Sequence, residues 1–192
     1  MRWLALAAGL FAGAGMAQAE ERHKGYEMPP YTVEAVDGAR EIRRYGPHLL
    51  AEVRVEGTRS AAISRGFSML AGYIFGGNAT GEKIAMTVPV TQAPNGAHWI
   101  VRFMVPSGFT PSSLPAPRDI RIRFVEAPGG RQVVERFSGL PDTADMERRA
   151  GALRVWAQAR GLVVGDGPQY HFYDAPMTLP WNRRNEVSWH LR

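Results

Sequence analysis

The chain has 192 residues, 45% of them apolar and 21% charged, and its 23 lysines and arginines against 18 acids give a net charge of +5. It has no cysteine, which excludes disulfides, a thiolate nucleophile, cysteine-held metals and cofactors attached through thioethers. All but two of the basic residues are arginine (the lysines are Lys24 and Lys83), and they are scattered rather than gathered into the tract or motif that marks a nucleic-acid surface.

Residues 1–19 read as an export leader. Met1-Arg2 is a charged start, residues 3–14 are a mostly apolar run broken by glycine, and Ala17-Gln18-Ala19 is a small-x-small cleavage site. The run is shorter than the roughly 20 residues that span a bilayer, so cleavage after Ala19 leaves no integral membrane segment and places the protein in the periplasm or outside the cell. Residues 20–30 are polar, end in Pro29-Pro30 and read as an N-terminal tail. Residues 31–192 read as one domain.

Within that domain, residues 31–36 and 40–45 flank Asp37-Gly38, a hairpin signal, and 49–56 reads as a third strand. A helix follows, with Thr58 as its N-cap and Ile63, Phe67, Leu70 and Ile74 along one face. Gly76-Gly77-Asn78 ends it. Residues 83–92 and 98–105 read as strands joined at Pro94-Asn95-Gly96, and a proline-rich loop fills 106–117. In 120–126 the alternation sets Ile120, Ile122 and Phe124 against Arg121 and Arg123. Pro128-Gly129-Gly130 turns into a strand at 131–137. A second helix covers 142–160, with Met146, Leu153, Trp156 and Ala157 on its buried side, and strands at 169–174 and 186–191 close the chain. Strands, helix and two strands thus occur twice. The order predicts an α+β domain: a distorted antiparallel β-barrel or sheet with two packed helices and a pseudo-twofold internal repeat.

The residues offer no catalytic constellation. The histidines are His23, His48, His98, His171 and His190, and no two stand at metal-ligating i, i+3 or i, i+4 spacing. Asp142, Asp145 and Glu147 cluster at a helix start, where negative charge complements the helix dipole. There is no Gly-x-Ser-x-Gly elbow, and the glycine-rich stretch 76–81 follows a helix instead of opening one, which is the wrong side for a phosphate cradle. The residues alone therefore point to no enzyme class. Met69 and Tyr73, i, i+4 neighbours on the first helix, fit either a ligand groove or a widened core face.

Several segments form an ordered set: Glu41-Ile42-Arg43-Arg44-Tyr45, Tyr73-Ile74-Phe75-Gly76-Gly77-Asn78, Lys83-Ile84-Ala85-Met86-Thr87-Val88-Pro89-Val90, and Arg183-Arg184-Asn185-Glu186-Val187. Together they resemble the SOUL haem-binding protein family across nearly the whole of 26–191. The resemblance implies noncovalent binding of haem or a related tetrapyrrole as carrier, buffer or scavenger, with a protein donor or acceptor as a further partner. It also implies a site that includes the first helix. One branch of the family has a proposed axial histidine in the segment that here reads EIRRY, and that position carries Arg44. In another branch basic residues around the first helix hold the propionates; the matching positions here are Ser64, Ala71, Gly72 and Thr178, with Arg65 adjacent. The expected site residues are Arg44 and Arg65 as cations, Ile63 and Phe67 as wall, and His48, Met69 or Tyr73 as axial donor, with Arg43, Leu70 and His171 as alternatives for the same three roles. Two other readings of the same residues stand beside this one. The groove takes another amphipathic small molecule, as the similar element order of the effector-binding domains of certain transcription regulators implies, or the domain binds proteins and no small ligand.

Overall fold

A computed structural model describes Ala17–Gln18 and residues 22–192. Most of the expected leader, and its cleavage site at Ala19, lie outside the described residues. The strands in chain order are β1 (Ala17–Gln18), β2 (Arg22–His23), β3 (Tyr26–Glu27), β4 (Tyr31–Asp37), β5 (Arg40–Tyr45), β6 (His48–Glu56), β7 (Val90–Asn95), β8 (His98–Met104), β9 (Arg123–Ala127), β10 (Gly130–Phe137), β11 (Gln169–Phe172) and β12 (Asn185–His190). Helix α1 (Arg59–Ile74) lies between β6 and β7, and α2 (Thr143–Gln158) between β10 and β11. Ten strands pair into one antiparallel sheet in the order β1-β4-β5-β10-β12-β11-β7-β8-β6-β9, while β2 and β3 form a separate hairpin. This curled sheet with two helices is the expected α+β half-barrel.

The internal repeat is visible in the pairing. β6-α1-β7-β8 and β10-α2-β11-β12 have the same local order, and the two halves meet where β7 pairs with β11. The halves also exchange strands. β5 leads into β6 but pairs with β10, and β9 leads into β10 but pairs with β6. Each half is therefore completed by a strand from the other, which makes one cooperative unit of the two.

Period-two alternation sends opposite residues of each strand to opposite faces. On one face Ala51, Val53 and Val55 of β6 join Val101 and Phe103 of β8 beneath α1. On the same face of the other half, Val133 and Phe137 of β10 join Val187 and Trp189 of β12 beneath α2, and Trp189 Nε1 donates to Ala150 O at 2.9 Å. Each fully buried Val or Leu here contributes about 1.5–3 kcal/mol.

α1 starts where Thr58 Oγ1 accepts from Ala61 N. It lies close on the sheet because Gly66 has no side chain: a Cβ there would come within 2.5 Å of Val101 Cβ. It stops at Gly76, with φ +105°. Asn78, fully buried, then donates to Tyr73 O at 3.1 Å and Glu82 O at 2.7 Å. α2 starts at Asp142, whose Oδ1 accepts from Ala144 N and Asp145 N.

The structure departs from the sequence expectations in three places. The strand expected at 83–92 pairs only from Val90. Before it the chain serves other partners: Ile84 N donates to Ile74 O, Thr87 Oγ1 to Met104 O and Val88 N to Glu27 O, and Pro89 has no N–H to give. The strand expected from 120 begins at Arg123. Asp119 Oδ1 accepts from Arg121 N at 3.0 Å and turns the chain, which leaves Ile120 91% exposed rather than in the apolar row. Finally, the tail is docked from Arg22 onward. It forms the β2–β3 hairpin, His23 and Lys24 reach Asp174, and Met28 is buried.

Candidate ligand-binding pocket

The face of the sheet turned away from the helices carries polar and charged side chains, and they are ordered. At its centre Glu186 of β12 is completely buried. Arg43 of β5, 1% exposed, grips it bidentately, Nη1–Oε2 at 2.9 Å and Nη2–Oε1 at 3.0 Å. Arg184 adds Nε–Oε1 at 2.9 Å, and Tyr173 donates its hydroxyl to Oε2 at 2.8 Å. Glu41 and Tyr45 complete the surroundings of Arg43, and the Tyr31 ring lies 4.5 Å from its guanidinium carbon. Burial opposes the charge on Glu186, but Arg43 and Arg184 outweigh it and hold the carboxylate at about 2.

Beside this cluster is a pocket of about 380 Å³. Its wall takes residues from every strand between β5 and β9 in the sheet order: Tyr45, Gln132, His190, Gln169 and His171, Thr91, Arg102 and Met104, His48 and Leu50, then Val125 and Ala127. One cavity touches all eight strands only because the sheet curls around it. Met28, Pro29 and Tyr31 close one side, and the Pro128-Gly129 turn another. At Gly129, with φ +82°, a Cβ would meet Tyr45 O at 2.4 Å, so the turn approaches the rim beside His48 only without a side chain.

Three histidines and one arginine supply the chemistry of this pocket. His171 is fixed at both nitrogens, Nδ1 to Thr91 Oγ1 at 3.0 Å and Nε2 to Ser188 Oγ at 2.8 Å, and Ser188 in turn donates to Gln132 Oε1. Burial lowers it to about 4, so it is neutral. The Gln169 amide engages His190 Nε2 at 2.6 Å. His48 Nδ1 lies 2.9 Å from Gly46 O. Burial also lowers His48 and His190, and the charge of Arg102 lowers all three histidines. Arg102 donates no hydrogen bond among the described residues, and its nearest acid is Glu52 Oε2 at 3.8 Å. Burial lowers Arg102, partly offset by Glu52.

The seven residues expected at the site do not converge. His48 lines this pocket. Arg44 points to the opposite face of β5 and pairs with Glu34 Oε1 at 2.7 Å. Arg65 donates to Glu56 O at the start of α1. Ile63 and Met69 are half-buried against the core under α1. Tyr73 is in that core, 2% exposed, its hydroxyl donated to Pro115 O and its ring 5.6 Å from Phe124. Phe67, 37% exposed, rims a gap between α1 and the sheet, but that gap holds only about 10 Å³. The pocket residues that the sequence reading did not single out include Arg102 and Met104, two positions apart on β8. Their one signal was the polar phase of the alternation in 98–105.

Residues 26–190 match the sequence model of the SOUL heme-binding protein family. Heme-binding protein 2 of Mus musculus is 39% identical over 188 residues, covering 90% of this chain and 89% of its own. Heme-binding protein 2 of Homo sapiens is 31% identical over 159 residues, covering 78% and 77%. Among solved structures, the EcmrR C-terminal domain superposes with TM-score 0.63 at 12% identity over 80% of this chain and 96% of that one. A protein described as a hydrolase from Listeria innocua gives 0.56 at 11% identity over 83% and 94%. At those identities the structural likeness concerns the fold alone.

Proposed function

This chain belongs to the SOUL heme-binding protein family, and from that premise we propose that it binds haem or a related tetrapyrrole noncovalently in the pocket on the helix-free face of the half-barrel. One observation carries the choice of site: the pocket there measures about 380 Å³, and the gap under α1 about 10 Å³. The first lies in the range of about 300–1,000 Å³ typical of small-molecule sites; the second has room for about one water at most. The residues suit the ligand. A porphyrin presents a flat apolar ring, carboxylates at one edge and an iron that takes nitrogen or sulfur donors. Leu50, Met104, Val125 and Ala127 supply apolar wall, Arg102 a cation and His48 a nitrogen.

The chain reads as a carrier or scavenger rather than a catalyst. Its most perturbed groups are tied to one another: Glu186 between two arginines, His171 at both nitrogens. Export to the periplasm or beyond, directed by residues 1–19, is part of the proposal. It is supported by the charged start, the short apolar run and Ala17-Gln18-Ala19, and it predicts Glu20 as the N-terminus of protein recovered outside the cytoplasm.

Titration of the purified protein with haemin, followed at the Soret band, tests the binding reading. A shifted band that saturates near one-to-one is expected. A band that grows without saturating would remove this function and favour a different amphipathic ligand or a protein partner.

A further inference from the structure

Within the pocket the hydrogen bonds separate three histidines that composition cannot. His171 uses both ring nitrogens inside the protein. His190 has the amide nitrogen of Gln169 against Nε2, so that Nε2 accepts and Nδ1 keeps the proton. His48 is arranged the other way round. Gly46 O can only accept, so His48 Nδ1 carries the hydrogen and Nε2 carries the lone pair. No described residue engages that Nε2, and the side chain is half-buried on the pocket wall. An imidazole whose Nδ1–H is held by a backbone carbonyl, with a bare Nε2, is the arrangement in which histidine ligates a metal.

The second observation is Arg102. Arg102 lines the same pocket and makes no hydrogen bond among the described residues, its ion-pair partner Glu52 standing 3.8 Å away, whereas Arg43 and Arg184 are hydrogen-bonded to Glu186. An arginine left in this state is a ready bidentate partner for a carboxylate.

We infer that His48 Nε2 is the donor this pocket presents to a porphyrin-bound iron, and that Arg102 receives a ring carboxylate. The inference rests on the pocket proposed above as the haem site. It assigns the iron contact to β6, on the opposite face of the sheet from α1 and from Arg44.

The test uses haemin and iron-free protoporphyrin IX in parallel. His48→Ala should abolish the nitrogen-ligated ferric spectrum and weaken haemin at least about tenfold. It should leave protoporphyrin IX affinity unchanged, and added imidazole should restore the spectrum. Arg102→Gln should weaken both ligands and leave the spectrum intact. Arg44→Ala, on the opposite face of β5, should change neither. Should His48→Ala fold poorly, the wild-type protein loaded with gallium protoporphyrin IX answers the same question: the His48 ε1 proton should show the ring-current shift of an axial ligand. An unaltered spectrum in His48→Ala, or an unshifted ε1 proton, would overturn the assignment while leaving the pocket as the site. Failure of both haemin and protoporphyrin IX to saturate the wild-type protein would instead bring down the reading beneath it.

Discussion

The two faces of one sheet have been built to opposite specifications. Toward the helices, Val53, Val101, Val133 and Val187 are closed over by α1 and α2, and the space left under Phe67 is about 10 Å³. Away from them, the other face of the same sheet carries Arg43, Glu186, His171 and Arg102, and about 380 Å³ stays open. Apolar faces close because packing them expels water at no polar cost. A face of charges closes only as far as the charges can satisfy one another. Here Arg43, Arg184 and Glu186 achieve that, and His48 and Arg102 do not. The helix face therefore holds the fold together, and the unfinished part of the polar face is where a ligand has something to gain.

The largest effect that would sharpen this contrast lies in the charge cluster. Glu186→Gln removes the carboxylate that Arg43 grips bidentately and that Arg184 also contacts, and breaking such a buried pair costs about 3–5 kcal/mol. Urea unfolding should show that loss. A change below about 1 kcal/mol, the level of a surface pair, would mean that the cluster is far better hydrated than its burial implies. Acid should act through the same face. His171, lowered from 6.5 to about 4, is neutral when folded, so the unfolded chain takes up its proton first. Stability is full above pH 6.5, falls as the pH drops from there, and has lost about 3 kcal/mol from this group once below pH 4. Glu186 has the opposite chemistry and the same consequence: lowered from 4.5 to about 2, its contribution is present above pH 4.5 and disappears as the pH falls through 2. His171→Gln should flatten the limb between pH 6.5 and 4 in denaturation measured across pH. A limb of unchanged slope would assign it to other groups.

The helix face offers a cleaner dissection. Gly66→Ala drives a methyl into Val101, and overpacking of that kind costs about 1–3 kcal/mol. Because α1 and the pocket lie on opposite faces, the haemin spectrum of this variant should match that of wild type. A changed spectrum would show that α1 shapes the site.

This division was only half visible in the sequence. Element order, both helices and the cap at Thr58 follow from local pattern, because capping and periodicity are properties of neighbouring residues. The EIRRY and RRNEV segments carried the family resemblance, and locally they read as parts of two separate strands. Their side chains instead meet across the sheet, Arg43 on Glu186 and Arg184 beside it, 143 positions apart for the first pair. No local rule couples β5 to β12 through β10. The expected site gathered on α1 because the family resemblance implied a site that includes the first helix. The pocket was illegible because nine strands each contribute one to three residues to it, and because the lone pair on His48 depends on where Gly46 O points.

The smallest expected effects test whether the conspicuous residues have been rightly set aside. Arg44 occupies the position of a proposed axial ligand in one branch of the family, yet its side chain is 57% exposed and faces Glu34. Glu34 keeps a second partner in Arg131, at 2.7 Å, so Arg44→Ala does not leave it alone. The loss of an exposed pair of this kind is worth less than about 1 kcal/mol, and neither haemin affinity nor its spectrum should move. Phe67→Ala should behave likewise toward the ligand, because the gap it rims is too small to admit a ring. Loss of the Soret shift in Arg44→Ala would move the iron to the other face of β5 and undo the contrast between the faces, whereas silence there together with loss in His48→Ala would confine the ligand to the curled interior of the sheet.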